Sequence, residues 1–122
     1  MKFATRMIHE GQEPDRATGA VTVPISLAST FAQDGIARPR SGFEYGRTDN
    51  PTRRSLEATI ASSENARHGV CFASGSAAST AVLNLLEPAD EVLSNLDIYG
   101  GTYRLFTKVY ARYGIRFRFL DG

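Results

Sequence analysis

The chain has 122 residues, 42% of them hydrophobic, which is enough apolar material for one ordinary domain with a core. Fourteen basic and thirteen acidic side chains leave a formal charge of +1, so no long-range field draws the protein to nucleic acid or to an anionic membrane. The expected partners are small molecules or other protein chains.

The first residues, Met1-Lys-Phe-Ala-Thr-Arg-Met-Ile-His-Glu10, lack the apolar core of a secretion signal, and no stretch approaches the length of a membrane span. The cytoplasm is the expected location. Residues 1–50 carry Pro14, Pro24 and Pro39, scattered glycines and no sustained period of 3.6 or 2, which predicts an irregular arm. Within it Val21, Val23, Ile25, Leu27 and Phe31 run in near alternation. An arm cannot bury that face itself, so a neighbouring subunit is the expected cover.

From residue 50 the pattern changes. Asn50 suits an N-cap, Pro51 suits the first helical position, and Leu56, Ile60 and the alanines between them form one stripe, predicting a helix to about Glu64. Gly69-Val-Cys-Phe-Ala73 reads as a short buried strand, with the single cysteine, Cys71, as a small core residue and not half of a disulfide. Ser74-Gly75-Ser76 then opens a helix that ends before Pro88. Residues 90–94 predict a second strand, Tyr99-Gly-Gly101 a turn, Thr102 to Tyr113 a helix closed by Gly114, and Ile115 to Leu120 a third strand. Alternating strands and helices predict an α/β class with a parallel sheet, its residues 51–122 forming the first part of a domain whose sheet is incomplete.

In open parallel α/β sheets ligands bind beyond the carboxyl ends of strands, and the turns at Ser74-Gly-Ser76 and Tyr99-Gly-Gly101 both lie near such ends. Gly75 lets a ligand approach the backbone, and the N–H groups of Gly75, Ser76 and Ala77 make a helix start suited to phosphate; the alternative is a plain turn with a serine cap. Tyr45 and Arg47, two apart in an extended segment, point the same way and can grip one phosphate, or else simply lie in solvent. Tyr99 can lay its ring over a planar ligand because the two glycines leave room, and Arg104 lies one turn further on, either near that ligand or on a solvated helix face. Nucleotide and nucleophile-elbow motifs are absent, and His9 and His68 have no metal-ligand spacing, so a surface or capping role suits them.

Taken in order, Tyr45-Gly-Arg47, Thr48-Asp-Asn50-Pro51-Thr52-Arg53, Ala73-Ser-Gly75-Ser76-Ala77-Ala78 and Asp97-Ile-Tyr99-Gly-Gly-Thr102-Tyr-Arg104 resemble the Cys/Met-metabolism (trans-sulfuration) family of pyridoxal-phosphate enzymes. Phe3-Ala-Thr-Arg6, Ile8-His9-x-Gly11 and Pro24 to Phe31 extend the likeness over nearly the whole chain. The resemblance implies a fold of the aspartate-aminotransferase type, an N-terminal arm (1–50) contacting a neighbouring subunit, and a homotetramer built from dimers that share active sites. It implies that Gly75 and Ser76 hold the cofactor phosphate, that Tyr99 stacks on the pyridine ring, and that Tyr45 with Arg47 reaches the phosphate of the neighbouring subunit. Arg47, Tyr99 and Arg104 look like substrate contacts, and no metal is implied.

The implied activity is that of a carbon–sulfur lyase, nearest to cystathionine γ-lyase, with γ-synthase, β-lyase, methionine γ-lyase and O-acetylhomoserine sulfhydrylase sharing the same motifs. One departure stands out. The family holds its cofactor as a Schiff base on a lysine further along than Gly122, whereas the lysines present are Lys2 and Lys108. The chain alone is therefore expected to be inactive, and the rival expectation is a non-catalytic module that docks through its arm.

Overall fold

The computed structural model describes residues 1–121, in two compact units, Met1–Cys71 and Phe72 onward. The first unit is organised by α2 (Pro51–Ser63), and its start is as the sequence predicts. Asn50 is extended, its side-chain oxygen accepts from the N–H of Thr52 (2.9 Å) and Arg53 (3.3 Å), and Pro51 occupies the first turn where no N–H partner is needed.

The same cap residues also pin the arm. Asn50 Nδ2 donates to the carbonyl of Ser26 (3.1 Å), Ser26 N–H donates to Thr52 Oγ1 (2.8 Å), and Thr52 Oγ1 donates to the carbonyl of Pro24 (3.1 Å). An irregular segment has backbone groups that no ladder satisfies, and here α2 supplies the partners.

The arm is not irregular throughout. Residues Phe3–His9 form α1, which the sequence does not announce because seven residues are too short to show a helical period, and Lys2 offers no side-chain cap. Tertiary contact stabilises it instead. Past its end, Gly11 has φ +73 and lies so close to α2 that a Cβ there would meet Ser55 O at 2.6 Å and Ala58 Cβ at 2.8 Å. Thr59 Oγ1 reaches the carbonyl of Glu10 (2.7 Å), and Arg6 Nη1 reaches Asn65 Oδ1 (2.6 Å).

Between α1 and α2 the chain runs through turns and two isolated antiparallel bridges, Thr30 with Tyr45 and Gln33 with Pro39. Of the alternating residues Val21, Ile25 and Leu27 are 77%, 80% and 91% exposed, whereas Val23 and Phe31 are half-buried, Phe31 against Phe43 at 5.4 Å.

The predicted strand at Gly69 to Ala73 does not form. Among the described residues these have no strand neighbour, Val70 is 70% exposed, and the N–H of Cys71 donates to the Glu57 carboxylate at 2.9 Å. A strand needs a ladder, and apolar composition alone does not supply one. Cys71 is accordingly half-buried and free of any disulfide, not a fully enclosed core residue.

In the second unit α3 (Gly75–Leu83) is followed by β1 (Glu91–Asn95) and β2 (Arg116–Leu120), paired in parallel with Val92 opposite Phe117 and Ser94 opposite Phe119. Two of the three expected strands are present, and their burial alternates instead of being continuous. The predicted helix from Thr102 to Tyr113 begins earlier and changes gauge, running as α4 (Gly100–Arg104), a π-helical turn (Leu105–Val109) and a 3₁₀ turn (Tyr110–Tyr113) that Gly114 ends at φ +85.

Aromatic packing accompanies that change. Phe106, buried, stacks on Phe117 at 4.7 Å, Tyr103 meets Phe119 at 5.1 Å, and Tyr110 Oη donates to Asn84 Oδ1 (2.6 Å) just past α3. Leu83, Phe106 and Ile115 form the core of this unit. Among the described residues no helix is long and apolar enough to cross a membrane.

Because Asn50 both caps α2 and holds Ser26, Asn50→Ala is expected to cost about 2 kcal/mol of unfolding free energy, roughly half from the cap and half from the lost tie. Urea denaturation monitored by circular dichroism checks this, and a loss of under ~0.5 kcal/mol would contradict the double role.

Candidate functional site

Tyr45 and Arg47 meet, though not by strand alternation. Residues 46–48 form a turn closed by the N–H groups of Thr48 (3.0 Å) and Asp49 (2.9 Å) on the carbonyl of Tyr45, and it brings the Arg47 guanidinium to 5.0 Å from the Tyr45 ring centre. Three arginines line the cleft of about 340 Å³ here, and two are committed: Arg53 pairs with Glu57, and Arg54 pairs with Asp49 while lying 4.1 Å over Phe43. Arg47 has no carboxylate or hydrogen-bond partner among the described residues and is exposed. Its charge is available to an anion from outside.

In the second unit the start of α3 offers a different kind of anion seat. Ser74 is extended and its Oγ accepts from the N–H of Ala77 at 3.1 Å, so the serine cap is present and the Ala77 donor, expected to be free, is taken. The N–H groups of Gly75 and Ser76 have no acceptor among the described residues, and they sit at the positive end of the helix dipole. A Cβ on Gly75 would meet nothing within 4 Å and its φ is not positive, so nothing inside the chain requires glycine there. The open space above it suits the close approach of a ligand.

Tyr99 immediately precedes α4, 76% exposed, with its ring folded against the following turn. A Cβ on Gly101 would collide with Cε1 of that ring and lie 3.1 Å from Cδ1 and 3.2 Å from Cζ. Gly101 therefore makes the ring's position possible. Arg104 folds back over the same turn, its Nη1 3.7 Å from where a Gly100 Cβ would stand, so its charge lies beside the turn and not out on a distant helix face.

Helices α3 and α4 pack together within this unit. Free N–H donors, an exposed aromatic ring and a guanidinium are a donor set that fits a planar molecule carrying a phosphate.

Sequence reasoning singled out all six of these residues but missed two others. Arg53 and Glu57, spaced i and i+4 on α2, form a 3.4 Å ion pair that also holds the carbonyls of Gly46 and Thr48 and the N–H of Cys71. The i,i+4 spacing was the available signal, and it is common enough on helices to pass unnoticed. His9 and His68 are exposed, and no group of metal ligands occurs among the described residues.

Gly101→Ala is expected to displace the Tyr99 ring while leaving the β1–β2 pair intact. Side-chain NMR shifts of Tyr99 report this directly; unmoved Tyr99 resonances in the variant would contradict the packing just described.

The family model for Cys/Met metabolism PLP-dependent enzymes matches residues 4–122. A probable cystathionine gamma-synthase of Herpetosiphon aurantiacus is 50% identical over 119 residues, 98% of this chain and 37% of that protein. Cystathionine gamma-lyase of Dictyostelium discoideum is 48% identical over 120 residues, 98% of this chain and 31% of that protein. Cystathionine beta-lyase of Coxiella burnetii is 49% identical over 118 residues, 96% of this chain and 30% of that protein.

Among solved structures, metB from Corynebacterium glutamicum superposes with a TM-score of 0.93 at 40% identity, covering 99% of this chain and 32% of the other. Cystathionine gamma-lyase from Lactobacillus plantarum, in complex with L-serine, gives 0.89 at 45% identity, covering 99% and 31%. The chain thus spans about a third of the length of the relatives it matches. With its phosphate-suited helix start, its aromatic turn and a match that runs from residue 4 to its last residue, the chain belongs to the Cys/Met metabolism family of pyridoxal-phosphate-dependent enzymes.

Proposed function

We propose that this chain supplies the phosphate-holding part of a carbon–sulfur lyase that acts on cystathionine, giving cysteine, 2-oxobutyrate and ammonia. The observation that carries the reading is the pair of uncommitted N–H donors at Gly75 and Ser76 beneath open space.

When bound, pyridoxal phosphate supplies an electron sink for charge developing on the substrate carbons. The chain's own residues bind and orient. Gly75 and Ser76 donate to the phosphate, and Tyr99 covers one face of the pyridine ring. Arg47, stacked on Tyr45, carries its unpaired positive charge to the phosphate dianion held by another copy of the chain, a charge-assisted pairing of opposite charges. Arg104, beside the Tyr99 turn, contacts the sulfur amino-acid substrate together with Arg47 and Tyr99.

The bare apolar row of Val21, Ile25 and Leu27 supports a second copy as the arm's cover, in an assembly of paired dimers working in the cytoplasm. Lys108 is exposed on the π-helical turn and Lys2 lies ahead of α1, so neither is assigned the covalent role.

γ-Synthase, β-lyase, methionine γ-lyase and O-acetylhomoserine sulfhydrylase chemistry fit the same residues. Product analysis separates γ- from β-elimination: the assembled enzyme given cystathionine is expected to release 2-oxobutyrate, whereas pyruvate would mean β-elimination and no keto acid would overturn the lyase reading. Gly75→Ala and Arg47→Ala are each expected to weaken cofactor retention about tenfold. Gly75→Ala leaves the melting temperature unchanged or raised, because alanine is the better helix former. Equilibrium dialysis checks both variants; wild-type retention in either would show that residue's assignment wrong.

A further inference from the structure

We propose that Arg53, held by Glu57, is the residue that positions Arg47. This rests on the reading of Arg47 as a phosphate ligand. Arg47 itself is tied down by nothing but the face of Tyr45, and a long side chain on a turn loses binding free energy if it must be ordered on binding. The Arg53 guanidinium removes much of that freedom from the backbone. Its Nη1 donates to the carbonyl of Gly46 (3.1 Å) and its Nη2 to the carbonyl of Thr48 (2.8 Å), the two carbonyls that flank Arg47 in sequence.

The third edge of the guanidinium, Nε, faces Glu57 Oε1 at 3.4 Å, and that same oxygen accepts from the N–H of Cys71 at 2.9 Å. Both side chains are more than two-thirds buried, with 29% and 20% exposure, so solvent screens the pair less than a surface bridge. All five residues lie in the Met1–Cys71 unit.

The pairing also settles charge. With Arg53 and Arg54 each given a carboxylate, Arg47 remains the one arginine of the cleft whose charge is uncompensated, and it is the one whose turn is clamped on both sides. A lysine at 53 would keep the charge but, as a single ammonium, would not span two carbonyls in a fixed fork.

The test is a double-mutant cycle on cofactor dissociation in the assembled enzyme, comparing wild type, Arg47→Ala, Arg53→Lys and the double variant by equilibrium dialysis. Arg53→Lys is expected to weaken retention about tenfold, and the double variant to be no weaker than Arg47→Ala alone, because the clamp acts only through Arg47. Losses that multiply to about a hundredfold would overturn the proposal, since a purely structural contribution acts on either background.

Glu57→Gln, which keeps an acceptor for Cys71, serves as the milder second variant and is expected to show the same non-additivity. Amide exchange at Thr48 and Asp49, expected to quicken in Arg53→Lys, decides the positioning independently of cofactor; unchanged exchange overturns it. Normal retention in Arg47→Ala together with quickened exchange would sink the phosphate reading of Arg47 but not the clamp.

Discussion

The start of α2 is the point on which the first unit depends. Four consecutive residues there do separate jobs within one turn. Asn50 caps the helix and holds Ser26, Pro51 fits where no donor is needed, Thr52 ties Pro24 and Ser26, and Arg53 grips the turn that carries Arg47. The physical constraint is that a proline-rich arm has no ladder of its own, so its backbone groups must find partners elsewhere. A helix N-terminus with polar caps has such partners to spare. The role we propose for Arg47 depends on the same turn, because Arg53 bonds the carbonyls of Gly46 and Thr48 on either side of the one uncommitted arginine in the cleft.

The second unit leaves donors unspent. Ser74 satisfies Ala77 but not Gly75 or Ser76, and the absence of a side chain at 75 keeps their approach clear. The aromatic contacts of Phe106 and Tyr103 with β2 hold the helical run that begins at Tyr99, so the exposed ring and Arg104 project from a packed element, not from a free loop. The π-helical turn at Leu105–Val109 sits between the two aromatic anchors Tyr103 and Tyr110 and adjusts the register in which they meet their neighbours.

Much of this was legible in the sequence, and the parts that were not share a cause. Asn50-Pro51 announced α2 because capping and proline placement are local rules, and Gly114 announced the end of the last helical turn for the same reason. The α/β class and the family were legible because motif spacing is linear information. Three features depended on contacts distant in sequence and so were hidden. Helix α1 exists through its seat on α2, the run at Gly69 to Ala73 lacks a strand neighbour, and Glu57 accepts from a backbone group fourteen positions later. The change of gauge after Arg104 was likewise set by what Phe106 and Tyr110 pack against.

Native-state hydrogen exchange on the wild-type chain bears most directly on the claim that arm, turn and helix start form one structure. The account predicts that the amides of Ser26, Arg53 and Cys71 are protected and exchange at a common rate, because a single opening of the α2 start exposes all three. Free exchange at Ser26 while Arg53 and Cys71 stay protected would contradict it.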